Sequence, residues 1–291
     1  MKGKMRQGRT SQTEFEQEPT KEKRNNQDAR KHSLRTNALL LGIYFAMLVV
    51  WEMANRLFHV PAYLLPPPSA IARSIVENPG QLLGNFITTL QEVLVGFCIG
   101  VVVSLALGAL IVSISFFERL IYPALVAFQA IPKVALAPIL VVWFGFGPTS
   151  KIMLGFVSAM FPIVVNTVIG LKQTHPEMIY LMRSLGASSL QIFLKIRLLT
   201  AAPYIFGGFK VGITLAVVGA VVGEFIAANS GLGYMLLVAN NSFKITEMFS
   251  VVVILSLMSI GLYYLIELIE VILLPKPLRR KGNTLETGAK T

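Results

Sequence analysis

Charged residues, cysteine and histidine are all scarce in this chain. Only 14% of its 291 residues are Asp, Glu, Lys or Arg, whereas a soluble domain would carry about a quarter. The single cysteine, Cys98, excludes an intrachain disulfide. The three histidines, His32, His59 and His175, have no second ligand at metal-binding spacing. We therefore predict no metal site.

Motifs for catalysis and for nucleotide binding are also missing. No Gly-x-x-x-x-Gly-Lys-Ser/Thr sequence occurs, so the chain has no P-loop with which to bind ATP. No Ser/His/Asp set falls on one side of the predicted membrane layer, which argues against an intramembrane hydrolase. We predict neither a catalytic residue nor a bound cofactor. The net charge of +11 would suit nucleic acid, but no basic face on a folded domain is visible, so no nucleic-acid partner is predicted.

Apolar residues, in contrast, make up 54% of the chain and cluster into long runs. A helix needs about 20 apolar residues to cross the hydrocarbon core of a bilayer. Runs of this length predict an all-α integral membrane protein with six transmembrane helices. The predicted spans are 38–58, 86–114, 120–144, 150–171, 202–228 and 247–274. A polar, proline-rich loop with a short surface helix is expected between the first two spans.

The distribution of Lys and Arg predicts the orientation of these spans. Residues 1–37 hold ten basic residues and residues 275–291 hold five. With four in the loop between spans 4 and 5 and Arg119 between spans 2 and 3, one side of the membrane receives twenty Lys and Arg and the other receives four. In this count Lys151 belongs to an outside loop. The positive-inside rule then places both termini in the cytoplasm of a multi-pass protein of the cell membrane.

The same pattern divides the chain into three parts. Residues 1–37 read as a basic, disordered cytoplasmic tail, too long and too acidic for the first part of a signal peptide. Residues 38–274 form the six-helix transmembrane domain, and residues 275–291 form a basic cytoplasmic tail. No pair of three-span halves matches, so the inverted repeat of many secondary transporters is not detected.

The segment between spans 4 and 5 is too polar to span a bilayer but has helical order. Thr174 with Glu177, and Ser188 with Gln191, each fit the capping-box pattern that begins a helix. Gly186 between them predicts a left-handed turn that ends the first helix. Two short amphipathic helices at a fixed angle are expected. They could lie on the lipid surface or fit their apolar stripe into a groove of a soluble partner.

This glycine-centred segment, with "AAPYIFGG" and "VVGEFIAANSGLGYMLLVANNSF" after it, resembles the permease subunits of ATP-binding-cassette importers. "LPPPSAI", "AFQAIPKVALAPILVVWFGFGPTSKIML" and "FPIVVNTVIGL" are similar to the nitrate/sulfonate/taurine branch of that family. The resemblance covers roughly residues 60–275. One departure is Thr200, which follows Leu199 where the family often has Leu-Pro.

The resemblance implies a cytoplasmic coupling-helix loop that docks on a separate ATPase subunit. Its turn would be Gly186, and its docking surface would run from Met178 to Phe193. The implied coupling residues are Met178, Leu181, Met182, Leu185, Gly186, Ala187, Ser188, Leu190 and Phe193.

The resemblance also implies the partners and the cargo. Partners would be a second copy of the chain, two ATP-binding-cassette ATPase subunits, an extracytoplasmic substrate-binding protein and membrane lipid. The cargo would be a small anion such as a sulfonate, taurine or nitrate. The alternative within the family is a thiamine-pyrimidine precursor or a similar heterocycle.

Ionisable residues inside predicted spans are functional candidates because charge at membrane depth is costly. Glu92, Lys133 and Glu224 qualify. The candidate translocation path consists of Gln129, Lys133, Asn166 and Glu224. Lys133 could equally make a structural contact across helices. The rival from another class is an ion-coupled secondary transporter in which Glu92 and Glu224 carry protons.

Overall fold

The computed structural model describes Leu39 and residues 42–274, and within this part every regular element is helical. The expected all-α architecture is therefore confirmed. The predicted tails, 1–37 and 275–291, lie outside the described residues, as does the beginning of the first predicted span.

Eleven helices follow one another along the described residues, most of them separated by short turns. Their bounds are α1, 42–57; α2, Pro68–Glu77; α3, Pro79–Ser113; α4, Ser115–Gln129; α5, Lys133–Phe144; α6, Pro148–Lys172; α7, Pro176–Ser184; α8, Ser189–Ile192; α9, Leu198–Ala227; α10, Leu232–Asn241; and α11, Ile245–Leu273. A π-helical turn, Phe193–Arg197, joins α8 to α9.

Four helical stretches in the described part are each long and apolar enough to cross a membrane: α3, α6, α11 and the continuous stretch Ser189–Ala227. A fifth candidate is the pair α4 and α5, whose axes differ by 104°. The predicted third span, 120–144, therefore consists of two helices at a sharp angle and is not one continuous helix. The break contains Pro132, whose ring lacks the N–H that a continuous helix would need there.

The chain divides into two compact units, of which the first ends at Ser69. Within this unit, the Glu52 carboxylate accepts hydrogen bonds from Arg56 Nε at 2.9 Å and from Ser69 Oγ at 2.9 Å. Asn55 Nδ2 donates to the Leu65 carbonyl at 2.5 Å. These bonds hold the proline-rich segment "LLPPPS" against α1.

The second unit, from Ala70 onward, is built around α6, the helix with the most residues buried inside the protein. Small residues bring its neighbours close, because a missing side chain lets backbones approach. On α3, the small residues facing α6 are Gly96, Gly100, Ser104 and Gly108; on α9 they are Gly208, Gly212, Gly219 and Gly223.

Residues of α3 with higher numbers contact residues of α6 with higher numbers, so the two helices run parallel. Gly96 lies against Ile152, Ser104 Oγ donates to the Met160 carbonyl at 3.0 Å, and Gly108 lies against Thr167. Two parallel spans require the chain between them to return to the starting side. The bent pair α4–α5 makes this return.

The ends of the bent pair lie at opposite ends of α6. At the start of α4, Glu118 pairs with Lys172, the last residue of α6, at 2.7 Å. In α5, Ala137 and Leu140 pack against Leu154, near the first turns of α6. The pair α4–α5 therefore crosses the helical layer as a broken span and does not fold back to the side from which it came.

The close approach of α9 to α6 gives a first prediction. A Cβ added at Gly219 would lie 2.6 Å from the Leu154 carbonyl oxygen and 2.6 Å from Ser158 Oγ, whereas a Cβ at Gly207 on the same helix would meet nothing within 4 Å. We expect Gly219→Ala to destabilise the fold by about 1–3 kcal/mol. Gly207→Ala should be neutral or slightly stabilising, because alanine favours helix. Thermal unfolding in detergent measures both, and equal shifts would refute the packing.

Candidate functional site

The segment after α6 turns sharply at Gly186. Gly186 adopts a left-handed backbone with φ of 77°. Its N–H donates to the Arg183 carbonyl at 2.9 Å, and the Ala187 N–H donates to the Met182 carbonyl at 3.0 Å. This pair of bonds is the Schellman motif, which satisfies the last carbonyls of α7. The predicted glycine turn is confirmed.

Of the two predicted capping boxes, one forms. The Gln191 N–H donates to Ser188 Oγ at 3.3 Å, and the Ser188 N–H donates to Gln191 Oε1 at 2.9 Å, so α8 begins as expected. The box at Thr174 is wrong. The residue that precedes α7 is His175, and Thr174 Oγ1 donates back to the Leu171 carbonyl.

The second of the expected short helices is not a separate element. α8, the π-helical turn and α9 form one helical stretch, Ser189–Ala227, of 39 residues. The π turn of Phe193–Arg197 adds a residue to one turn of this stretch. The chain passes through Thr200 without a break, and Pro203 lies inside the helix.

We call residues 176–197 the coupling segment. Much of its apolar surface is uncovered: Met178 is 46% exposed, Leu181 60%, Leu185 73% and Leu190 66%. Met182, Ala187 and Phe193 are half-buried, while Gly186 and Ser188 are exposed. Of the segment's side chains, only Ile192 is buried. The described protein does not cover these side chains, so they must contact lipid or another molecule to be shielded from water.

A cluster of buried polar groups lies at the opposite end of α9. Glu224 is 1% exposed. Its carboxylate accepts a hydrogen bond from Thr89 Oγ1 at 2.7 Å and another from the N–H of Gly233 in the first turn of α10. Thr89 Oγ1 in turn accepts the Leu232 N–H at 2.8 Å. A carboxylate at a helix N-terminus is favourable because it faces the positive end of the helix dipole.

Two glycines let α10 approach this carboxylate. Gly231 has φ of 111°, and a Cβ at Gly231 or at Gly233 would collide with the Glu224 side chain. The Gly231 N–H donates to Asn85 Oδ1 at 2.7 Å. The glycines of "NSGLGY" thus allow α10 to lie directly against the Glu224 carboxylate.

The neighbouring ion pair corrects the position assumed for Lys151. Lys151 is 4% exposed and its Nζ lies 2.5 Å from Oε1 of Glu92, which is 3% exposed. It therefore does not belong to an outside loop. The carboxyl groups of Glu92 and Glu224 are close enough to interact electrostatically. The buried polar cluster comprises Asn85, Thr89, Glu92, Lys151 and Glu224.

Sequence reasoning singled out Glu92 and Glu224 but missed the other three members of the cluster. A signal was present for two of them: Asn85, Thr89 and Glu92 follow one another at spacings of four and three, which places them on one face of α3. Lys151 gave no comparable signal, because it stands at the start of a span, three residues after Pro148 and two after Thr149.

The four candidate path residues do not form one cluster. Gln129 is exposed and Lys133 half-buried, and these two flank the break between α4 and α5. Asn166 Nδ2 donates to the Pro162 carbonyl at 2.8 Å, one turn earlier in α6. Among the described residues, no hydrogen bond or ion pair joins any two of the four.

Other ionisable groups pair across helices. Lys210 in α9 lies 2.7 Å from Glu270 and 4.0 Å from Glu267, both in α11. Glu267 and Glu270 are thus both ion-pair partners of Lys210. In the part of the chain that the structure describes, no three His, Cys, Asp or Glu residues are placed to hold a metal ion.

Sequence comparisons identify related proteins. A family model described as "Binding-protein-dependent transport system inner membrane component" matches residues 96–279. Formylaminopyrimidine transport permease protein ThiX of Halalkalibacterium halodurans is 38% identical over 80% of this chain and 94% of its own length. Riboflavin transport system permease protein RibX of Chloroflexus aurantiacus is 35% identical, over 77% and 84%. Putative aliphatic sulfonates transport permease protein SsuC of Bacillus subtilis is 29% identical, over 72% and 76%.

The fold also has a solved counterpart. A chain of the MetNI methionine ABC transporter, in an inward-facing crystal form, superposes with a TM-score of 0.60 at 22% identity. The match covers 70% of this chain and 99% of that chain. The helical arrangement described above is thus shared with a chain of an ABC transporter.

Proposed function

Because this chain belongs to the family of binding-protein-dependent transport system inner membrane components, we propose that it is a permease whose import is driven by ATP hydrolysed in separate subunits. The observation that carries the proposal is the coupling segment. It presents exposed Met178, Leu181, Leu185 and Leu190 on a backbone held by the Schellman turn at Gly186. A rigid apolar ridge of this kind suits docking into a groove of a soluble subunit.

The proposed orientation puts the coupling segment in the cytoplasm. Lys172, Arg183, Lys195 and Arg197 lie at this end of the described helices, with Arg119 at the start of α4. An excess of Lys and Arg is typical of cytoplasmic loops. In this arrangement residues 1–37 and 275–291 are cytoplasmic tails that flank the transmembrane part, 38–274, and the buried polar cluster lies at the extracytoplasmic end.

We propose that two copies of the chain work with two ATPase subunits and one substrate-binding protein. One copy offers half of a pathway, and a symmetric pair provides a coupling segment for each ATPase. The binding protein would deliver cargo at the end of the helices that holds the buried polar cluster. A cavity of about 470 Å³ lies there, lined by residues that include Lys151, Asn229 and Ser230.

The continuous stretch Ser189–Ala227 suggests how movement is transmitted. At 1.5 Å per residue its 39 residues extend about 58 Å. One end lies in the coupling segment, and the other holds Glu224 against α10. A push on the coupling segment by closing ATPase subunits would move both ends of this helix as one body. Glu224 would then position α10, while Gln129, Lys133 and Asn166 remain proposed lining residues of the path.

The similarity to named relatives bears on the cargo. The formylaminopyrimidine and riboflavin permeases are 38% and 35% identical to this chain, and the sulfonate permease is 29% identical. We therefore favour a small nitrogen heterocycle, such as a thiamine-pyrimidine precursor, over a sulfonate, taurine or nitrate.

Uptake into proteoliposomes tests the proposal. The chain is reconstituted with its ATPase and binding protein, and uptake of formylaminopyrimidine, riboflavin, taurine and an alkanesulfonate is measured. We expect uptake of a heterocycle that requires ATP and is insensitive to a proton gradient. Uptake that follows a proton gradient without ATP would refute the importer and support an ion-coupled transporter that uses Glu92 and Glu224. ATP-driven uptake of taurine or a sulfonate instead would refute only the choice of cargo.

A further inference from the structure

A second cavity, of about 490 Å³, lies between the end of α3 and the coupling segment. Val112 and Ser113 of α3 form one wall. Ile179 of α7 and Phe193 of the π turn belong to the other. This cavity is far along α3 from the buried polar cluster, and it contains none of the candidate path residues.

Two arginines line this cavity, Arg183 at the end of α7 and Arg197 at the end of the π turn. Within residues 42–274, neither guanidinium makes an ion pair with a carboxylate. The neighbouring basic group at this end behaves differently, because Lys172 pairs with Glu118 at 2.7 Å. Two unpaired guanidinium groups at one cavity leave a concentration of positive charge without a counter-ion.

The remaining lining is amphipathic. Ser113 and Ser189 bring hydroxyl groups, whereas Val112, Ile179, Leu190 and Phe193 are apolar. Ser113 is the last residue of an apolar helix long enough to span a membrane, so the cavity lies where hydrocarbon gives way to headgroups. A ligand that fills it must carry an anion at one end and apolar surface at the other.

We propose that this cavity binds the headgroup of an anionic phospholipid. Arginine binds phosphate oxygens through a planar fork of N–H donors, which gives stronger and more directional contacts than a point charge. Basic pockets between membrane helices on the cytoplasmic side bind anionic headgroups. The phosphate would contact Arg183 and Arg197, and the glycerol and first methylenes would lie against Val112 and Phe193. A free phosphate would leave the apolar wall of the cavity uncovered.

The site would connect lipid composition to coupling. It joins α3 to both sides of the Gly186 turn, since Arg183 precedes this glycine and Arg197 follows it. A bound headgroup would hold these three elements together. Lipid binding is therefore expected to stiffen the coupling segment. The cytoplasmic position of the cavity rests on the proposed function, but lipid binding can be measured without transport.

Native mass spectrometry of the full-length chain tests the site. The chain, purified in detergent, is titrated with phosphatidylglycerol, phosphatidylcholine or soluble glycerol phosphate. We expect phosphatidylglycerol to be retained. The variant Arg183→Ala/Arg197→Ala should retain it at least tenfold more weakly, because each of the two basic groups adds a similar attraction to an anionic lipid. Arg119→Ala is the matched control, because Arg119 is exposed at the same end but does not line the cavity.

Three results would overturn the proposal: equal retention of phosphatidylglycerol by the double variant and the Arg119→Ala control, equal retention of phosphatidylcholine, or displacement of the lipid by glycerol phosphate. If the double alanine variant does not purify, Arg183→Glu alone is used, since Arg183 is exposed; the same loss is expected from charge reversal. A result against lipid binding would not refute ATP-driven uptake, which the proteoliposome experiment measures by itself, so the two proposals fail separately.

Discussion

Replacing Gly186 with valine is expected to reduce ATPase binding and ATP-driven uptake by at least about tenfold. At φ of 77°, Gly186 occupies a left-handed conformation that costs an L-residue about 1–2 kcal/mol, and a β-branched side chain more. The cost comes from the backbone alone, because an added Cβ would meet no other atom within 4 Å. The Schellman bonds of Gly186 and Ala187 would break, and α7 would lose its fixed angle to α8. Co-purification with the ATPase and uptake in proteoliposomes measure the effect.

The matched control is Gly186→Asn, because asparagine tolerates the left-handed region better than other side chains. It should retain most of the uptake. Membrane insertion of both variants should equal that of the parent chain, since insertion depends on the apolar spans and not on this turn. A Gly186→Val chain that still binds its ATPase and supports full uptake would show that the turn does not couple the two proteins.

The second large effect is expected at Lys151. Lys151→Met removes one partner of a buried ion pair and leaves Glu92 without a counter-charge beside Glu224. Breaking a buried pair in this way costs about 3–5 kcal/mol. We expect a much lower yield of folded protein and a lower unfolding temperature in detergent. Because Glu224 accepts the Gly233 N–H, the packing of α10 should loosen as well.

Two companion variants separate this explanation from a general sensitivity to mutation. Lys151→Met/Glu92→Gln removes both charges, so it should recover more than half of the lost stability. Lys244→Met breaks an ion pair between exposed Lys244 and half-buried Glu247, in which Nζ lies 3.3 Å from Oε2. This loss should cost less than about 1 kcal/mol. A double variant no more stable than Lys151→Met would show that Lys151 stabilises the fold through the packing of its side chain and not through its charge.

Local signals in the sequence predicted local structure well. The Gly186 turn and the Ser188–Gln191 capping box both form, because their hydrogen bonds join residues three to five positions apart. The capping box at Thr174 failed for a local reason too: Thr174 is buried and donates to Leu171 behind it, so His175 precedes the helix instead.

Signals that depend on distant partners were weaker. Lys151 lies in the first turn of α6, and only the tertiary structure brings it to Glu92, a residue on α3. The third predicted span contains Pro123, Pro132 and Pro138, and prolines favour a break in a helix. They did not give the 104° angle between α4 and α5, which the packing of α5 against Leu154 of α6 accommodates.

The sequence by itself determined that the chain is helical and membrane-spanning, and that a glycine turn interrupts it after the fourth predicted span. Run length, charge distribution and backbone preference act within a few residues, so these features require no knowledge of the fold. The tertiary structure decided which polar side chains are paired, how α4 and α5 return across the layer, and that the second coupling helix continues into Ser189–Ala227. These outcomes depend on contacts between helices that are distant in the sequence. Such contacts form only when the small residues of α3 and α9 allow these helices to pack closely against α6.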